Sequence, residues 1–127
     1  MMKTRGFTLV ELLITVVIIA VLAALALVSF SNMPERGIAA EAIGHLSAIR
    51  QGEVAYNLEN PLAVPSYLAY ASLDLDIVST KFTYAVDTAT GTVTATRSGG
   101  SAAFKDKTII LAINGTWSGD HPFVPKN

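Results

Sequence analysis

One carboxylate stands where the surroundings argue against it. Between Phe7 and Phe30 the sequence FTLVELLITVVIIAVLAALALVSF carries a single charged residue, Glu11. A charged side chain inside an apolar membrane segment costs about 2.5–3.5 kcal/mol on insertion scales. Glu11 lies four residues into the run, close enough to an interface to lower that cost by reaching outward. A plain anchor gains nothing from a carboxylate there, so the chemistry to expect is pairing with a partner that satisfies the charge. Thr8, Thr15 and Ser29, the other polar residues of the run, can bond carbonyls of their own helix and are given no further role.

The remaining reactive side chains form no catalytic or metal-binding pattern. His45 and His121 stand alone, without ligand spacing, and His45 reads as a surface or packing residue of a helix. Asp74, Asp76 and Asp120 are the candidates for calcium, but Asp74-Leu75-Asp76 lacks the glycine-bearing loop such a site uses, so no metal is expected. Asn114-Gly115-Thr116 matches a glycosylation sequon, and a tight hairpin turn explains it better. Trp117 and the tyrosines have no basic neighbours that would make them a stacking surface for nucleic acid. There is neither a nucleophile–base pair nor a phosphate loop, so neither an enzyme nor a cofactor is expected.

The element that positions Glu11 is a run of 24 residues, about 36 Å as a helix at ~1.5 Å per residue, sufficient for a hydrocarbon core of roughly 30 Å. Lys3 and Arg5 precede it, favouring an orientation with the N-terminus inside and the rest of the chain outside. A secretory signal has an apolar core of about 7–15 residues, and this run is longer. Ala20, Ala23, Ala24 and Ala26 would allow close helix approach. Across all 127 residues the mean hydropathy is +0.47, but that average joins an apolar stem to an ordinary polar and apolar head of roughly 90 residues, small but sufficient for a core. The formal net charge of −1 supplies no basic stripe for phosphates. Without cysteine the head must hold together by packing alone.

Arg5-Gly6-Phe7-Thr8-Leu9-Val10-Glu11 resembles the leader junction of type IV prepilins and the related pseudopilins of type II secretion: a short basic leader, glycine, phenylalanine, then glutamate fifth after the cut. The resemblance is close over residues 3–30. It implies cleavage between Gly6 and Phe7 by prepilin peptidase at the cytoplasmic side, N-methylation of Phe7, and retention of the apolar helix on the mature chain. Glycine suits the cut because a residue without Cβ lets a protease approach the backbone closely. Loss of Lys3 and Arg5 with the leader leaves seven basic side chains against ten acidic ones. The resemblance further implies that Glu11 of one subunit meets the new α-amino group of its neighbour. Greasy helices slide past one another easily in lipid, and a charge left unpaired there is strongly unfavourable, so one axial offset is selected.

The expected division is leader 1–6, transmembrane and filament-core helix 7–30, and globular head 31–127. The expected fold is α+β: a long N-terminal helix packed through its C-terminal half on a small antiparallel sheet of three or four strands, the pilin fold. Many members of the family have a proline about 22 residues after the cut; here Val28 stands there, and the first proline is Pro34. Pro34, with Ser31, Asn32 and Gly37, predicts a kink or break over 30–37. The family's frequent C-terminal disulfide loop is absent. Residues 35–57 read as a helix whose Ile38, Ala42, Leu46 and Ile49 share one face, Tyr56 ending that stripe and Glu41, Arg50 and Glu53 falling largely elsewhere. Gly44 and Gly52 suggest close packing or simple tolerance. Residues 58–80, with Pro61 and Pro65, read as a loop with a short helical turn. Strands follow at 81–87, 92–97 and 107–113, with a short fourth at Thr116-Trp117-Ser118; Ala89-Thr90-Gly91 and Asn114-Gly115 make turns, and Ser98–Ser101 reads as a flexible loop.

Taken together these features imply a pilus-like filament subunit, a helical homopolymer of this chain. Its partners would be prepilin peptidase, the pilus assembly platform and minor pilins. The precursor would reside in the inner membrane and the assembled form at the cell surface. A type II secretion pseudopilin is the alternative, and a monomeric membrane-anchored binding domain a third.

Overall fold

The computed structural model describes residues 6–30, 32–61 and 66–127. The basic leader residues Lys3 and Arg5, Ser31 and Pro65 lie outside them. The chain divides into two compact units, Met1–Glu35 and Arg36–Asn127.

The first unit is built on helix α1, Leu9–Phe30. Its stretch Leu9–Leu27 is the one helix among the described residues long and apolar enough to cross a membrane, and none of that stretch is buried within the chain. Leu, Ile, Val and Ala dominate its whole circumference, so it has no polar face to turn toward water.

Helix α2 spans Met33–Glu59. Helices α1 and α2 are separate elements, the first ending at Phe30 and the second beginning at Met33; Ser31, within the interval 30–37 where a kink is expected, lies outside the described residues. Pro34 sits in the first turn of α2, where a missing N–H breaks no intrahelical bond. At the other end the Asn60 N–H donates to the Tyr56 carbonyl at 2.9 Å, the Asn60 side-chain amide donates to the same carbonyl at 3.1 Å, and Pro61 follows, disfavouring a helical conformation at the residue before it.

Four strands make an antiparallel meander in the order β1 (Phe82–Asp87), β2 (Thr92–Arg97), β3 (Thr108–Leu111) and β4 (Trp117–Ser118). Phe82 pairs with Arg97, Tyr84 with Ala95 and Val86 with Val93; Val93 also pairs with Leu111, and Ala95 with Ile109. Strand side chains alternate between faces, so this register puts all of these residues on one side. The opposite face is largely threonine: Thr83, Thr92, Thr94, Thr96 and Thr108. The inner face closes on α2, and the core consists of Ala39, Ala42, Leu46 and Ile49 with Phe82, Val93, Ala95, Ile109 and Leu111. The layout is α+β, a helix on a four-stranded antiparallel sheet.

Glu53 corrects the sequence-based picture of the head, and Arg97 adds to it. Glu53 does not fall away from the apolar face: it is fully buried and continues the stripe Ala39, Ala42, Leu46, Ile49. Arg97, the last residue of β2, is 4% exposed on the sheet's inner face. Of the helical glycines, Gly44 has open space where a Cβ would point, whereas at Gly52 a Cβ would be in ordinary contact with Leu73 and Leu75. Among its described residues, the connection before β1 contains one short 3-10 turn, Tyr70–Ser72. The Ser98–Ser101 loop is tied at both ends: the Ser98 N–H donates to the Lys81 carbonyl, and the Ser101 carbonyl accepts from Phe104 and Lys105.

Candidate functional site

Gly6, Phe7 and Glu11 lie together at the start of α1. Gly6, Phe7 and Thr8 are outside helical geometry, and the helix begins at Leu9. Phe7 is 83% exposed. Thr8 occupies the N-cap and Glu11 the third helical position, and the two close a reciprocal capping box. The Thr8 hydroxyl accepts from the Glu11 N–H at 3.2 Å. In return, Glu11 Oε2 accepts from the Thr8 N–H at 2.9 Å and from the Thr8 hydroxyl at 3.0 Å. The negative side chain also sits at the positive end of the helix dipole. One turn on, the Thr15 hydroxyl donates to the Glu11 carbonyl at 2.6 Å, satisfying itself within the helix.

Every atom of this box lies on the Phe7 side of the Gly6–Phe7 bond, so cleavage there would leave it whole. Sequence reasoning singled out Glu11 as the one charge of the apolar run but assigned Thr8 no role. The threonine–x–x–glutamate spacing at the head of an apolar run was the signal that could have found it.

Residues 1–27 match the family model for the prokaryotic N-terminal methylation motif. The chain carries a prepilin-type signal. That signal is the one of type IV pilin and pseudopilin precursors, and it implies processing by prepilin peptidase and assembly into a pilus-like polymer. With the apolar helix behind it, it also implies membrane insertion of the precursor. No curated protein and no solved structure matches the chain. The matched stretch takes in Gly6, Phe7 and α1 as far as Leu27.

The other candidate residues serve the fold of the head. His45 Nδ1 is hydrogen-bonded to the Tyr84 hydroxyl at 2.8 Å, with the two rings edge-on at 5.5 Å, joining α2 to β1. His121 is 3% exposed, among the rings of Phe82, Phe104 and Phe123 at 5.8–5.9 Å, and its Nδ1 accepts from the Phe123 N–H at 3.3 Å. Asp120 accepts from the Thr108 N–H at 2.7 Å, the Thr108 hydroxyl at 3.0 Å and Lys107 Nζ at 3.0 Å. These donors hold its carboxyl well below the usual carboxylate range, the Thr108 N–H contributing most. Among the described residues, no three His, Asp or Glu side chains gather as metal ligands would. Asn114 Oδ1 accepts from the Thr116 N–H at 2.9 Å inside the Ala112–Thr116 turn, so the sequon is used as a turn. Trp117 is part of the core periphery, and its backbone N–H and carbonyl are bound at 2.8 and 2.9 Å by the side chain of Asn127.

Three further side chains were not singled out as anchors in the sequence. Glu53 Oε1 and Oε2 both accept from the Leu68 N–H at 3.1 Å, and one turn later Asn57 Oδ1 accepts from the Ser66 N–H at 3.1 Å. Together they fasten the connection after α2 back onto the helix. Arg50 Nε donates to the Ile113 carbonyl at 2.8 Å, tying α2 to the turn that follows β3.

Proposed function

We propose that this chain is a structural subunit of a type IV pilus-like extracellular filament, cut after Gly6, methylated on Phe7 and polymerised through its apolar N-terminal helix. Its role is assembly rather than catalysis. The observation that carries the reading is α1 itself, a helix apolar around its whole circumference, unburied by the rest of the chain, with its only charge at Glu11 directly behind the prepilin-type signal. An apolar surface of that extent requires lipid or other helices to cover it, and a subunit drawn from the membrane into a filament exchanges the first for the second. Glu11 and the α-amino group of a neighbouring Phe7 supply the register.

The test is mass spectrometry of filaments sheared from cells that produce the chain. Recovery of a chain beginning at methyl-Phe7 supports the filament subunit. A cleaved chain that stays in the cell envelope and never enters sheared filaments points to the pseudopilin instead. A chain that keeps Met1 to Gly6 overturns both and leaves a membrane-anchored monomer.

A further inference from the structure

We infer that Thr8 is a positioning residue for leader removal: its capping bonds start the helix at Leu9 and so keep the Gly6–Phe7 bond out of helical geometry, where a protease can reach it. The inference rests on the reading that the chain is cut between Gly6 and Phe7. A peptide bond within a helix is enclosed by its own turn, its N–H and carbonyl are engaged, and an endopeptidase must first unwind it. The described residues place Gly6, Phe7 and Thr8 outside the helix, and the first helical residue comes two positions after the scissile bond.

Propensity alone does not explain that boundary. Phe7 is no helix breaker, and the apolar run behind it would nucleate a helix able to grow backward. What stops it is the Thr8 side chain. Its hydroxyl takes the Glu11 N–H at 3.2 Å, the bond that a preceding carbonyl would take if the helix continued toward the leader. Glu11 Oε2 takes the Thr8 N–H at 2.9 Å, which would otherwise be free to join a further turn. Residue 8 is thereby held as the N-cap, a non-helical conformation.

The two arms are separable. In Glu11→Ala the hydroxyl bond to the residue-11 N–H persists, so the boundary should hold. In Thr8→Ala the cap is lost, and the residue replacing it is the strongest helix former.

The test uses the full-length precursor in detergent or membranes with purified prepilin peptidase, comparing wild type, Thr8→Ala, Thr8→Ser, Thr8→Asn and Glu11→Ala. Serine and asparagine both cap well, and asparagine does not resemble threonine in shape. Thr8→Ala should lower kcat/KM about fivefold, the factor carried by a typical cap, and amide exchange at residues 7 and 8 should become slower as the helix extends. Thr8→Ser, Thr8→Asn and Glu11→Ala should cut at near the wild-type rate. Equal rates for Thr8→Ala and wild type overturn the inference. So does slow cutting of Thr8→Asn with unchanged exchange, because the enzyme would then be reading the threonine itself. Failure of the underlying reading looks different: wild type would release no product beginning at Phe7.

Discussion

Glu53 offers the sharpest check on how the head is held together. Its carboxyl is fully buried on the core stripe of α2, with both oxygens on the Leu68 N–H. Burial pushes its pKa above the ordinary 4.5, and the Leu68 N–H pulls it back less strongly. Below pH 4.5 the group is protonated in both folded and unfolded chains, and its contribution to stability is fully present. As pH rises from 4.5 toward the folded-state pKa, the unfolded chain ionises while the buried carboxyl holds its proton, so stability falls, and it levels off once the folded chain is ionised too. Each unit of elevation costs about 1.4 kcal/mol once the group is ionised.

Glu53→Gln removes the titration and keeps an oxygen for Leu68. Glu53→Ala removes both, leaving the half-buried Leu68 N–H without its acceptor at about 1–3 kcal/mol and removing one further methylene at about 0.8 kcal/mol. Comparing the two neutral variants cancels the charge and leaves a difference of about 3 kcal/mol. For a head of roughly 90 residues that is about 12–24 °C in Tm. The assay is thermal unfolding of the full chain in mild detergent, followed by near-ultraviolet circular dichroism from Trp117 and the head tyrosines, at pH 4 to 8. Glu53→Gln should gain on wild type as pH rises from 4.5, the gain levelling off once the folded-state carboxyl is ionised, and should melt well above Glu53→Ala throughout. Coincident melting of the two variants, or a wild type that gains on Glu53→Gln with rising pH, would refute the reasoning.

Glu11→Ala should leave leader removal intact, seen as a chain beginning at Phe7 by mass spectrometry, while sheared filaments disappear or lose regular order in electron micrographs; normal filaments would remove Glu11 from the assembly mechanism. Asp120 carries a depressed pKa, so the stability it confers is present above the ordinary value of 3.8 and is lost as pH falls toward the folded value. Asp120→Asn should flatten the acid side of the unfolding curve, and an unchanged acid transition would contradict that. Gly119 has φ of +124°, and a Cβ there would collide with the Thr108 carbonyl. Gly119→Ala should therefore lower stability by more than about 1 kcal/mol, read as a fall in the urea midpoint, and a midpoint within error of wild type would show that the β4 end accommodates the methyl.

Residue order alone settled the elements of this protein. An uninterrupted apolar run long enough for a bilayer makes a helix wherever it is placed, because lipid leaves the backbone no other way to satisfy its bonds. Period-two and three-four spacings then marked α2 and the strands to within a few residues, since those periods reflect which side chains share a face. The prepilin-type signal over residues 1–27 was legible because its spacing is a local pattern. Tertiary structure decided what the charged residues do. Glu53 stands at the next three-four step after Ile49, and Arg97 at the next alternate step after Ala95, so periodicity pointed both inward while their charge argued for solvent. What reverses that argument is a partner distant in sequence: the Leu68 N–H for Glu53, and for Arg97 the Lys81 carbonyl at 3.0 Å with the Phe82 ring beneath its guanidinium. A burial cost set by chain segments 15 or 16 residues away is not readable from the residue that bears it. The His121 cluster formed by the returning tail and the Asn127 clasp on Trp117 depend on the same kind of long-range meeting. At the N-terminus the reverse holds, for the capping box of Thr8 and Glu11 is complete within four consecutive residues and needs no tertiary contact to form.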